Sequence, residues 1–142
     1  MTFGAAPLGR RAVLPSKVSD PTSAEPPIRL LLVDDSSVAR AVLSRMIAGR
    51  PGLEVAATAS NAGEALALLG AAMFDIVLLD VEMPGESGLD ALPEIIRAGR
   101  GARVVICSSV AEAGAETSVR ALALGAADAM PKPGSGLFGG RF

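Results

Sequence analysis

Asp75-Ile76-Val77-Leu78-Leu79-Asp80 is an unbroken apolar run held between two carboxylates. A strand with one face in water alternates polar and apolar residues. A strand apolar throughout is covered on both faces, as at the centre of a parallel sheet flanked by helices. In such sheets the carboxyl ends of the strands share one edge, and ligands bind there. Asp80 sits at that edge. Working outward, Ile28-Arg29-Leu30-Leu31-Leu32-Val33 repeats the pattern and ends at Asp34-Asp35. Val104-Val105-Ile106-Cys107 ends at Ser108, and the shorter stretch from Ala126 to Met130 leads to Pro131-Lys132-Pro133. Positions far apart in the chain are thereby brought to one place.

Helical signals fill the intervals. Ser36 or Ser37 can cap a helix whose apolar face runs through Val38, Val42, Leu43, Met46 and Ile47, stopped by Arg50-Pro51-Gly52. Leu53 to Thr58 reads as a short strand. Asn61 and Glu64 have capping-box spacing, and Leu66, Leu69 and Met73 continue that helix. After a Pro/Gly loop from Val81 to Ser87 comes a helix with Leu89, Leu92, Ile95 and Ile96, and Pro93 falls within its first turns. Ala102 to Cys107 is the next strand, and Ala113 to Leu124 is a helix ended by Gly125. Met46, Met73 and Met130 read as core fillers. Repeated β-α units predict an α/β fold with a parallel sheet and helices on both faces.

The 142 residues, half of them apolar, suffice for one domain with its own core. Residues 28–133 are expected to form it. Residues 1–27 hold five of the ten prolines with Ser, Thr and scattered charge, the composition of a flexible extension. Residues 134–142 form a glycine-rich tail without helical periodicity.

A net charge of −2 gives no electrostatic case for nucleic acid or an anionic membrane as partner. Histidine is absent, which excludes Ser-His-Asp and Cys-His catalysis and His-ligated zinc. Gly85-Glu86-Ser87-Gly88 has the outline of a nucleophile elbow, but Leu89 stands where its last glycine belongs. The single Cys107 lies in an apolar strand and reads as a small core residue, and a reducing cytoplasm is the expected setting.

Three clustered carboxylates repel one another by about 3 kcal/mol per pair at ~5 Å and an effective dielectric of ~20. Either one is protonated or a cation sits among them. Hard oxygen donors at a partly open site favour Mg²⁺, which completes its shell with water and phosphate oxygens. A carboxylate can act as nucleophile and form an acyl phosphate. Lys132 can supply a further positive charge, and the Ser108 hydroxyl can donate to a phosphoryl oxygen. Asp34 alone reads equally well as a turn former. Glu82 points either to the site or to solvent. Asp90, Glu94, Glu112 and Glu116 read as solvated helix faces.

Val33-Asp34-Asp35-Ser36, Leu79-Asp80-Val81-Glu82-Met83-Pro84-Gly85, Cys107-Ser108-Ser109 and Lys132-Pro133 resemble the receiver domains of bacterial two-component response regulators. The resemblance implies a doubly wound, five-stranded (βα)5 flavodoxin-like fold. It also implies that Asp80 takes a phosphoryl group from a sensor histidine kinase. By the same match Mg²⁺ is held by Asp35, Asp80 and the backbone carbonyl of Glu82, with Asp34 acting through water. Lys132 is the phosphoryl partner, Ser108 the switch hydroxyl, and a cis peptide precedes Pro133. Asp80-Val-Glu-Met-Pro-Gly, Cys107-Ser-Ser-Val110, Gly114-Ala115-Glu116 and Met130-Pro-Lys-Pro-Gly-Ser-Gly are similar to the receiver of chemotaxis protein-glutamate methylesterases, whose hydrolase region has no counterpart here. The chain departs from the family twice. Ala129 stands where receivers often carry an aromatic switch residue. The tail cannot form the usual fifth helix, so a partner chain, self-association or the N-terminal arm is expected in its place. Two other readings are a phosphorylation-independent adaptor with this fold and a Mg²⁺-dependent aspartyl phosphatase or phosphotransferase. The latter usually has an Asp where Glu82 stands.

Overall fold

The computed structural model describes residues 25–83, 87–108 and 111–132, without the side chains of 111–114. Its elements alternate as β1 (Ile28–Val33), α1 (Ser37–Ala48), β2 (Leu53–Ala59), α2 (Ala62–Ala71), β3 (Ile76–Asp80), α3 (Gly88–Gly99), β4 (Arg103–Ser108), α4 (Ala111–Leu124) and β5 (Asp128–Pro131). The strands form one sheet in the order β2-β1-β3-β4-β5. Every pairing is parallel. This is the doubly wound, flavodoxin-like arrangement, in which the winding direction reverses between β1 and β3. The residues of the expected fifth helix and the Lys132–Pro133 peptide bond lie outside the described residues, as do residues 1–24.

The period-2 pleat sorts the strand side chains between two cores. Leu31, Val33, Val77, Leu79, Val104 and Ile106 face one way and pack with α2, α3 and α4 through Leu69, Leu92, Ile95 and Ala121. Leu30, Leu32, Leu78 and Cys107 face the other way and pack with Leu43 and Ile47 of α1. β1 and β3 are apolar on both sides because both sides are covered.

Side-chain caps fix where the helices begin. Ser36 caps α1 by accepting from the Ala39 N–H at 3.1 Å. Asn61 caps α2 by accepting from the Glu64 N–H at 2.8 Å. The Glu64 carboxylate turns back to the backbone N–H of Ser60 at 2.7 Å, one residue before the cap. That N–H and the Ser60 hydroxyl hold the Glu64 carboxyl below its ordinary range.

The structure corrects the sequence reading of several apolar residues. In α1 the buried residues are Ala39, Leu43 and Ile47, whereas Val38 is 61% exposed and Met46 also faces outward. The hydrophobic stripe is real, but the sheet takes its edge containing Ala39, and the larger Val38 is left outside. Met73 and Met130 are exposed as well. Met73 lies past the end of α2, and Met130 is on the edge strand. Pro93 is in the second turn of α3, deeper than the position where proline costs no hydrogen bond.

Candidate functional site

β1, β3, β4 and β5 deliver their last residues to the same edge of the sheet, at the reversal of winding. Register does the alignment: Val33 pairs with Leu79, Asp80 with Cys107, and Ser108 with Pro131. Asp34, Asp80, Ser108 and Lys132 thereby meet at this edge. Asp34, Asp35 and Asp80 each offer a carboxylate oxygen, and all three lie within 4.8 Å of one another. Asp34 and Asp80 are each only 1% exposed, while Asp35 opens to solvent.

Each buried carboxylate is held at both oxygens. Asp34 Oδ1 accepts from the Ser36 N–H at 2.9 Å, and its Oδ2 meets Lys132 Nζ at 3.0 Å. Asp80 Oδ1 accepts from the Glu82 N–H at 3.0 Å, and its Oδ2 accepts from the same ammonium at 3.2 Å. Lys132 therefore bridges the ends of β1 and β3 from the end of β5. Burial pulls the lysine toward losing its proton. The hydrogen bond to Asp34 and the charges of both aspartates outweigh that, and its pKa is raised. Asp80 is pushed up to about 6, mainly by burial and further by the Asp34 charge, against the Glu82 N–H and Lys132. Burial pushes the Cys107 thiol beside it up to about 12.

Ser108 lies beside the acids, 7% exposed, with its carbonyl accepting from the Lys132 N–H at 2.7 Å. Its hydroxyl donates to Glu82 Oε2 at 3.1 Å. Glu82 thus turns toward the site through its carboxylate. Ala129 is half-buried on β5 and packs against the larger core.

Two further residues support the site and carry no plain signal in the sequence. Arg40 of α1 donates to the Asp34 carbonyl at 2.6 Å, fixing the peptide between the paired aspartates. At Gly88 a Cβ would lie 2.5 Å from the Asp80 carbonyl oxygen and 2.7 Å from Val81 Cα. Only glycine lets α3 begin this close to the chain at Asp80.

Residues 30–136 match the response regulator receiver domain family. The chain belongs to that family. Among its relatives is a protein-glutamate methylesterase/protein-glutamine glutaminase of Paramagnetospirillum magneticum, 42% identical over 118 residues, covering 83% of this chain and 31% of the relative. The receiver chain thus spans about a third of that relative's length. The response regulator domain of Thermotoga maritima CheB superposes with a TM-score of 0.67 at 36% identity, covering 75% of this receiver and 79% of that chain. A chain from the complex of the P1 domain of CheA3 with CheY6 of R. sphaeroides gives 0.67 at 32% identity, covering 82% and 95%. The protein is a CheB-like receiver of the two-component, chemotaxis-related kind. Among the described residues of this receiver, no helix is long and apolar enough to cross a membrane.

Proposed function

We propose that this receiver is a phospho-switch in which Asp80 accepts a phosphoryl group with Mg²⁺ bound beside it. The observation that carries the reading is the convergence of Asp34, Asp35 and Asp80 within 4.8 Å, with Lys132 against two of them. This donor set suits Mg²⁺. The ligands are hard carboxylate oxygens, and the exposed Asp35 leaves the site open to the water and phosphate oxygens that the ion keeps in its shell. Asp35, Asp80 and the backbone carbonyl of Glu82 would hold the ion. Asp34 would act through water, as the receiver resemblance implies. When bound, Mg²⁺ supplies positive charge for the phosphoryl oxygens and offsets the repulsion among the acids.

The chain's own residues do the rest. The Glu82 N–H and Lys132 fix the rotation of the Asp80 carboxylate, so its oxygen meets the donor phosphorus in a set orientation. Such transfers depend on positioning and charge stabilisation more than on proton movement, which fits a site without histidine. Lys132 is close enough to Asp80 to pair with a group carried there. Ser108 is the hydroxyl that would move to the phosphoryl group, and Ala129 stands where a larger switch side chain is usual.

The donor in this reading is a kinase histidine, carried on a module comparable to the CheA3 P1 domain. The output is a partner whose affinity differs between the two states. Residues 28–133 would be the switching unit, with 1–27 as an extension and 134–142 as a tail, working in the cytoplasm as the regulatory part of a methylesterase-type regulator.

Incubation with acetyl phosphate and Mg²⁺, followed by intact mass measurement, tests the reading. One added phosphoryl group is expected, absent with EDTA and absent in Asp80→Asn. Folded protein that gains no mass would refute it.

A further inference from the structure

The hydroxyl that a phosphoryl group on Asp80 would need is already engaged. Ser108 Oγ donates to Glu82 Oε2 at 3.1 Å. The Ser108 backbone cannot shift easily, because its carbonyl accepts from the Lys132 N–H at 2.7 Å across the end of the sheet. Glu82 is tethered too, through its own N–H on Asp80 Oδ1 at 3.0 Å. One residue therefore grips the acceptor carboxylate with its backbone and the switch hydroxyl with its side chain. A serine hydroxyl has one proton to donate. It can serve the Glu82 carboxylate or a phosphoryl oxygen, never both at once.

We propose that the Glu82 side chain is a latch on Ser108, a positioning residue that must release the hydroxyl before a phosphoryl group on Asp80 can be stabilised. The proposal rests on the reading of Asp80 as acceptor. The burial pattern suits a latch. Ser108 is buried, so its freed hydroxyl stays at the site, while the exposed Glu82 swings into water where its charge is solvated. The latch slows charging of Asp80 and keeps the uncharged state distinct.

The test is a double-mutant cycle on the full chain, with acetyl phosphate and Mg²⁺ and intact mass as readout. In the reaction the bond from phosphorus to the acetate oxygen breaks, and its electron pair leaves with acetate. An Asp80 carboxylate oxygen forms the new bond to phosphorus. Glu82→Ala is expected to speed this charging about threefold to tenfold, the range of one net hydrogen bond. In a Ser108→Ala background the same change should have no effect. Glu82→Gln, which keeps an acceptor oxygen, should fall between Glu82→Ala and the parent, and it carries the cycle if the alanine variant does not fold. Equal acceleration in both backgrounds would mean simple repulsion of an anionic donor and would overturn the latch, as would no acceleration in either. No adduct on the parent protein would remove the acceptor reading and the latch with it. Normal charging that is indifferent to Glu82 would remove the latch alone.

Discussion

Asp80 is the residue on which chemistry and stability are coupled. Its carboxyl is pushed up to about 6 from an ordinary 3.8, first by burial and then by Asp34. An unfolded chain loses this proton near 3.8, whereas the folded one keeps it to about 6. Between those values the folded state binds more protons, so stability falls as pH rises through the window. In metal-free buffer Asp80→Asn should therefore melt higher than the parent, by a margin that grows from about pH 4 to pH 6 and then levels off. Added Mg²⁺ should raise the melting temperature of the parent more than that of the variant. Thermal unfolding across that pH range, with EDTA or Mg²⁺, checks both parts. A second expectation concerns Cys107, whose buried thiol is pushed up to about 12. It should be inert to a thiol-reactive dye at pH 8 until the protein is unfolded. At this scale the acids, Ser108 and Lys132 were legible because each lies at or just past the end of an apolar strand. Glu82 was not, since a side chain two residues past a strand can turn either way. Arg40 acts through a guanidinium on a carbonyl, which leaves no spacing to read.

At the scale of elements, the start of α3 decides how near the loop after Asp80 can come. A Cβ on Gly88 would strike backbone atoms of Asp80 and Val81 at 2.5 and 2.7 Å, and backbone cannot move aside as a flexible side chain can. Gly88→Ala should cost about 1–3 kcal/mol, the usual range for overpacking. It should also slow phosphorylation by displacing Asp80. A melting curve and a charging rate measured on the same variant check this, and loss of one without the other would argue against it. The strands were legible to within a residue or two because the unbroken apolar runs have one reading. The helix caps were legible too, since Ser36 and Asn61 each accept the N–H three residues on. The buried face of α1 was harder to see. Val38 and Ala39 are adjacent in sequence, and which one meets the sheet depends on the angle at which the helix is laid down. The Val38 side chain ends outside, and the small Ala39 fits the closer approach.

For the molecule as a whole, Lys132 joins the last strand to the carboxylates of the first and third. Removing it leaves two buried carboxylates facing each other without a cation. Breaking such a pair by deleting one partner costs about 3–5 kcal/mol. Lys132→Ala should therefore melt well below the parent in EDTA, and Mg²⁺ should recover more stability in the variant than in the parent. Calorimetry with and without the ion reads both effects, and equal Mg²⁺ gains would contradict the coupling. The sheet order β2-β1-β3-β4-β5 was legible as a class, because repeated β-α units with right-handed crossovers leave few topologies. The register that sets Asp80 beside Cys107 and Ser108 beside Pro131 was not, since it depends on pairing between strands far apart in the chain.

The central claim is that Asp80, among the carboxylates of this pocket, takes the phosphoryl group. Its most direct test is to charge the full chain with acetyl phosphate and Mg²⁺, reduce the acyl phosphate with borohydride, and sequence the peptides by mass. The account predicts homoserine at position 80, with Asp34 and Asp35 unchanged. Homoserine at Asp34 or Asp35, or unmodified aspartate throughout, would contradict it.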